Sequence, residues 1–432
     1  MRNPFRYPIQ PLSETLPNGL RMVSVELPHL HTVSIVLYVR VGSRYESDGD
    51  NGLSHFLEHM LFRGTQRYPS SLALHSAIED IGGTLYAETG RDYSLYQISV
   101  HPENVELGLG LLGEIFRAPT LADIELERKI VLEEIQEDLD EQGHDVNIDD
   151  LVRRAVWPDH PLGFKITGPY ENVERFSDGD VKRHFARHYV ASNMVLAVSG
   201  AARHAQTLGW AVRDFGDLPA GTATTSPTPD DKQKRPQLVY VRSEGSQTAL
   251  QVVFRALPET DPDFIALQAL SRLLDDGMST RLHYRVCDQK GLAYNIHGNL
   301  EAMHDVALLE VNTNAVHKNV PAVLDEVLAI LDELRTTPVP EGELERVKKR
   351  FRWDLEAAFD DPDALAGWYA GTELFRPSEP AELRLARMEA VTSEDILRAA
   401  RRVMRPERLT VAAVGVLSSR VRGELRRKIE GF

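Results

Sequence analysis

The chain has 432 residues, more than one ordinary hydrophobic core serves and enough for two domains of about 200 residues each. Its 42% hydrophobic and 26% charged residues exclude extensive disorder, and a formal net charge of -16 excludes a nucleic-acid backbone as the main partner, because such binding needs a concentrated basic face. The acidic balance suits solubility first and a peptide carrying some basic residues second. A single cysteine, Cys287, excludes an intramolecular disulfide and a cysteine-rich metal cage, which makes a reducing compartment the default. The opening MRNPFRYPIQPLSETLPNG lacks a continuous apolar core and no later run approaches membrane-spanning length, so the expected location is cytoplasmic, with no membrane partner.

In chain order, the branched residues of Leu20 to Leu27 and Val33 to Val41 predict strands. Leu53 to Phe62 reads as a largely buried helix, and Ser71 to Ile81 as another that stops at Gly82-Gly83. Thr84 to Tyr86 and Tyr93 to Val100 flank the turn-prone Thr89-Gly90-Arg91-Asp92 and predict a hairpin. Helices over Glu103 to Phe116 and Asp123 to Leu139 follow, and Met194 to Ser199 reads as a short buried strand.

Apolar residues nearly vanish from Leu218 to Pro236, LPAGTATTSPTPDDKQKRP, which places a linker there. Strands then recur near Leu238 to Arg242 and Ala249 to Phe254, a helix over Phe264 to Leu274, and strands around Ala293 to Asn299 and Ala307 to Thr313. The repeated order predicts an α+β fold of two similar domains, residues 1–217 and 237–432 about the linker 218–236, each a mainly antiparallel sheet with helices on one face.

The chemistry is carried by Ser54 to Met60, SHFLEHM. His55 and His59 stand one helical turn apart and share a face, where two neutral imidazoles can bind one zinc ion at about 2.0–2.1 Å. Glu58 points to the same side, in reach of a water that the metal holds and acidifies to a pKa of about 7, which is a general base's position. Buried alone among Leu53, Phe56, Leu57, Met60, Leu61 and Phe62, these three ionisable residues would be costly without such a partner; the bland alternative is a pair of hydrogen-bonded core histidines.

A third ligand is sought on Ala122 to Asp140, ADIELERKIVLEEIQEDLD. On a helical wheel Glu127 and Glu134 fall together between Ile130 and Val131, whereas Glu133 lies roughly opposite Val131 and Ile135. This selects Glu134 as ligand and Glu127 as the carboxylate that orients a ligating histidine. The competing reading is that both acids belong to the solvated face of a highly charged helix.

The run GLSHFLEHMLFRGT, Gly52 to Thr65, closely resembles the insulinase and pitrilysin class of inverzincin peptidases, particularly short bacterial members related to mitochondrial processing peptidase. NGLRMVSVE, ERKIVLEEI, HPLGFKITG, NMVLAVSG, GMSTRL and GLAY extend the resemblance over nearly the entire chain. It implies one zinc per chain on His55, His59 and Glu134, with Glu58 as base and Glu127 as supporting carboxylate. It further implies a processing-peptidase-like fold in which four domains enclose a chamber, the C-terminal half completing it. A chain of two such domains would then pair with a second copy, the expected homodimer, or with a related noncatalytic subunit. The second half has no His-x-x-Glu-His run.

Two departures from that family stand out. Relatives commonly place an Arg and a Tyr seven residues apart toward the substrate carbonyl; Tyr294 matches the Tyr, Cys287 occupies the Arg position, and Arg281 or Arg285 is the expected substitute. In GGTLYAETGRDYSLY, Tyr86 precedes Ala87 where relatives commonly have Asn, on an edge strand expected to pair with substrate through its backbone. Cys287 as a nucleophile lacks a His/Asn constellation, and Gly82-Gly83 fits a helix end better than a phosphate loop. The function expected is a zinc endopeptidase acting on extended or unfolded peptides; the alternative is a peptide-binding or assembly subunit of a heteromeric complex with little turnover.

Overall fold

Runs of β-branched and aromatic residues form the strands of the computed structural model, which describes residues 10–432. They are β1 (Leu12–Thr15), β2 (Arg21–Glu26), β3 (Val33–Val39), β4 (Thr84–Thr89), β5 (Ser94–Val100), β6 (Met194–Gly200), β7 (Gln237–Val241), β8 (Thr248–Ala256), β9 (Ile296–Ala302), β10 (Ala307–Ala315) and β11 (Leu409–Val414). They build two sheets, ordered β1-β2-β6-β3-β5-β4 and β7-β11-β8-β10-β9. In each sheet one pair is parallel, β2 with β6 and β7 with β11, and the other pairs are antiparallel. Without β1 the two orders are the same, so the expectation of two similar α+β domains holds.

The compact units cross the linker boundary drawn at 218–236. The first comprises the described residues up to Glu137 with Phe164–Pro227 and Asp354–Glu382; the second comprises Asp138–Gly163, Thr228–Trp353 and Leu383–Phe432. Each half of the chain thus lends a helical segment to the other unit, for a reason visible in the strands. All seven residues of β3 are buried, so both faces of its sheet need cover.

In the first unit one face is covered by helices of the N-terminal half, and Ile35, Leu37, Ile98 and Leu196 lie in one core with Leu57, Leu109 and Leu112. The other face, bearing Tyr38, meets the helix Pro362–Phe375, which packs on β3 and β6. Gly367 and Gly371, one turn apart on that helix, lie over Tyr38: a Cβ on Gly367 would stand 3.5 Å from its hydroxyl and one on Gly371 3.5 Å from its ring, ordinary packing distances. In the second unit the helix Ile148–Val156 packs on β7, β8 and β11, and its Val152 and Val156 share a core with Val253, Leu308 and Ala412. Helices expected on one face therefore lie on both, with an exchanged helix on the second.

That exchanged helix also carries a buried charge. Arg153, 2% exposed, pairs with Glu310 of β10 and Glu301 of β9, and Asp149 lies 3.4 Å from it. A guanidinium at this depth is tolerable only because carboxylates meet it on both sides. No helix among the described residues is long and apolar enough to cross a membrane.

Candidate active site

The helix Leu53–Leu61 buries Leu53, Phe56, Leu57, Met60 and Leu61 together with Ser54 and His55, and leaves Glu58 and His59 partly exposed. It begins at Gly52, whose left-handed backbone (φ 101°) suits glycine and which has no side chain to cap the exposed N–H groups. Glu46 does this instead: its carboxylate accepts from Gly52 N at 2.9 Å, Ser54 N at 2.7 Å and Asn51 Nδ2 at 3.0 Å. Burial pushes the Glu46 pKa up against the pull of those hydrogen bonds. Beneath the same helix, Ser54 Oγ lies 3.1 Å from His184 Nε2, and the His184 ring lies 4.5 Å from that of His188. Burial, then His188 and Arg187, hold the His184 pKa well below its ordinary value; burial and Arg187 lower that of His188 to about 4, Asp50 opposing.

Across from this helix runs the acidic helix Ile124–Glu137. Its Glu127 is buried, Glu133 exposed and Glu134 between the two, while Ile130, expected on the apolar side, is 44% exposed. His55 Nε2 lies 3.4 Å from Glu134 Oε1, and His59 Nε2 3.5 Å from Glu134 Oε2. His55, His59 and Glu134 offer ligand atoms all within 4.8 Å of one another. Donors at about 2.1 Å around a tetrahedral zinc stand about 3.4 Å apart; each imidazole lies at about that distance from one oxygen of Glu134, the two oxygens being different, so the three side chains converge on a space of the right size for an ion. His59 Nδ1 donates to Glu127 Oε1 at 3.0 Å, which leaves Nε2 as the ligand atom. Glu127 Oε2 in turn lies 3.5 Å from Arg63 Nη1. His55 Nδ1 is buried without a hydrogen-bond partner among the described residues.

The electrostatics fit a cation. Hydrogen bonds from His55 and His59 hold the Glu134 carboxyl far below its ordinary range. Burial works to lower the His59 pKa, but hydrogen bonds to Glu127 and Glu134 outweigh it and push it up to about 9. Glu58 accepts a hydrogen bond from the Thr89 hydroxyl of β4, and Ser94 Oγ donates to Thr89 Oγ1 at 3.3 Å.

Strand β4 is a sheet edge, paired among the described residues only with β5. Ala87 is half-buried on it; Tyr86 is 53% exposed, with its hydroxyl donating to Glu88 Oε2 at 2.9 Å. Tyr294, Arg281 and Arg285 belong to the second compact unit. Tyr294 is 90% exposed. Both arginines expected to replace the missing cation are engaged by carboxylates of their own unit: Arg285 pairs with Glu326 and Glu333, the latter at 2.6 Å, and Arg281 with Glu343 at 3.0 Å. Cys287 sits between them and Tyr294 on a π-helical stretch, His283–Gln289, its thiol pKa raised by burial. Glu46 and Thr89 were not singled out by the sequence. Alternation along β4 places Thr89 with Leu85 and Ala87, but no local signal tells that it meets Glu58.

Comparison with known proteins gives this geometry a lineage. Residues 21–170 match the family model described as insulinase, peptidase family M16, and residues 175–351 match the one described as the peptidase M16 inactive domain. A Streptomyces coelicolor protein named an uncharacterized zinc protease is 27% identical over 422 residues, covering 94% of this chain and 90% of its own. The mitochondrial-processing peptidase subunit beta of Blastocladiella emersonii is 28% identical over 418 residues, covering 93% and 87%. A protease from Helicobacter pylori superposes with a TM-score of 0.87 at 22% identity, over 95% of this chain and 100% of that one, a likeness that speaks for the fold. The two family models together span most of the chain, and the chain belongs to the insulinase family of peptidases, M16.

Proposed function

We propose that the protein is a zinc-dependent endopeptidase that hydrolyses extended or unfolded peptides, with one ion held by His55, His59 and Glu134. The observation that carries this reading is the approach of both Nε2 atoms to the two oxygens of Glu134 at 3.4 and 3.5 Å, with Glu58 on the same helix. When bound, zinc would polarise a peptide carbonyl and acidify a water. Glu58 takes the proton of the attacking water and returns it to the leaving amine. Glu127 accepts the His59 Nδ1 proton and fixes the ring that presents Nε2. The open edge of β4 supplies backbone groups for an extended peptide to join as a further strand, with Tyr86 and Ala87 beside it. Tyr294 keeps only the role that the sequence resemblance implies, a phenol hydroxyl for negative charge developing on a carbonyl oxygen. Arg281 and Arg285 are left to structural pairing rather than substrate.

A relative named as subunit beta of a processing peptidase supports an assembly of more than one chain, and we assign a homodimer to this protein. Its single cysteine supports a cytoplasmic setting. The test is hydrolysis of a library of unstructured peptides by protein stripped with chelator and then reloaded. Cleavage lost on stripping and restored by zinc supports the reading. Peptide binding without turnover in the fully metallated protein would replace it with that of a binding subunit.

A further inference from the structure

We propose that Thr89 is the positioning residue that aims Glu58, so that the strand whose edge is open to peptide also sets the direction of the base; this inference rests on the peptidase reading above. Thr89 is the last residue of β4 and is 8% exposed. Side chains alternate along a strand, which places it with Leu85 and Ala87, both packed against the core that contains Phe56, Leu57 and Met60 of the histidine helix. Its hydroxyl donates to Glu58 Oε2.

The direction of that proton follows from the partner, because a carboxylate can only accept. Ser94, fully buried on β5, pairs with Thr89 across the β4–β5 ladder, and its hydroxyl lies within donating distance of Thr89 Oγ1 at 3.3 Å. The Thr89 hydroxyl thus stands between a second hydroxyl and the Glu58 carboxylate that takes its proton. A β-branched threonine also has few side-chain rotamers, whereas glutamate has three rotatable bonds and, half-exposed on its helix, little else to hold it. One carboxylate oxygen is thereby tethered and the other left to take a proton. Among the described residues no hydrogen bond joins Thr89 to His55, His59 or Glu134, so the tether acts on the base rather than on the ligands.

Thr89→Val keeps the shape and removes the donor; Thr89→Ser keeps the donor. Full-length zinc-loaded Thr89→Val is expected to lose about 10- to 100-fold in kcat with KM within about twofold, the size of effect that misplacing a reacting group by a fraction of an ångström produces. Thr89→Ser should recover to within about threefold, and Ser94→Ala, which removes the second hydroxyl, should lose less than Thr89→Val in the same direction. Two readouts stand apart from turnover. Zinc affinity should be unchanged in all three variants, and crystals of metal-free Thr89→Val should show the Glu58 carboxylate displaced while Thr89→Ser shows it in place. A Thr89→Val protein with wild-type kcat, an unmoved Glu58, or equal losses in the Val and Ser variants would overturn the inference while leaving a peptidase standing. A wild-type protein that loads zinc and cleaves nothing would sink both together.

Discussion

The two compact units share one strand order but differ where the chemistry lies. In the first, the helix after β3 reads LSHFLEHML; in the second, the helix after β8 reads FIALQALSRLL, holds no histidine, and buries Ala266, Leu267, Leu270 and Leu273. The later helix differs in kind as well. Aligned on the shared Glu-Leu-Glu-Arg runs at Glu125 and Glu343, the position of Glu134 in the first unit falls on Arg352 in the second. By that sequence match an arginine falls where the first unit has the carboxylate. The scaffold therefore supplies a place, and three or four residues decide whether it holds a metal.

That contrast can be broken most forcefully at Glu134. Glu134→Ala should abolish detectable cleavage and weaken zinc by more than the about 10–100-fold typical of losing a residue that only supports a ligand. Arg352→Ala, its counterpart, should leave zinc affinity unchanged; calorimetric titration of both variants checks the pair. A second contrast is in what each unit buries. Arg153→Ala should destabilise the second unit by about 3–5 kcal/mol in urea melts, because Glu310 is left buried and uncompensated, and Arg153→Met should do so as well. Glu127→Ala sharpens the first unit's site: zinc affinity is expected to fall about 10–100-fold while Glu58 keeps its position.

A further contrast is in pH. His184 and His188 are held neutral, their pKa values lowered in the folded chain, that of His188 to about 4. Above about pH 6.5 both are neutral folded or unfolded and stability is full; below it only the unfolded chain takes up their protons, so stability is lost as pH falls toward 4. The slope approaches about 1.4 kcal/mol per pH unit for each histidine. Urea melts from pH 7 to 4 should show it, and His188→Gln should flatten it.

Much of this fold was legible because hydrophobic pattern is local. The helix read over Phe264 to Leu274 has those bounds in the structure, and the hairpin read around Thr89 to Asp92 closes with Thr89 opposite Ser94. β11 and the helix Ile148–Val156 were not read, the first a short run with two alanines, the second only nine residues with two aspartates and two arginines. The exchange of helices was also out of reach: composition shows where a chain turns polar, as at 218–236, but not which sheet face still lacks cover. At the site, spacing and the wheel single out His55, Glu58, His59, Glu127 and Glu134; the structure brings the side chains of His55, His59, Glu127 and Glu134 within reach of one another, with Glu58 on the helix of the two histidines and bonded to Thr89. Glu46 and Thr89 act through contacts that bring separate elements together, and no periodicity encodes such contacts.

The most direct measurement is zinc content and peptide turnover on the same preparations of wild-type protein and Glu58→Gln. The account predicts one zinc per chain in both and a kcat lower by about 10²–10⁴-fold in the variant. Equal turnover by the two proteins, or zinc-independent cleavage by either, would contradict it.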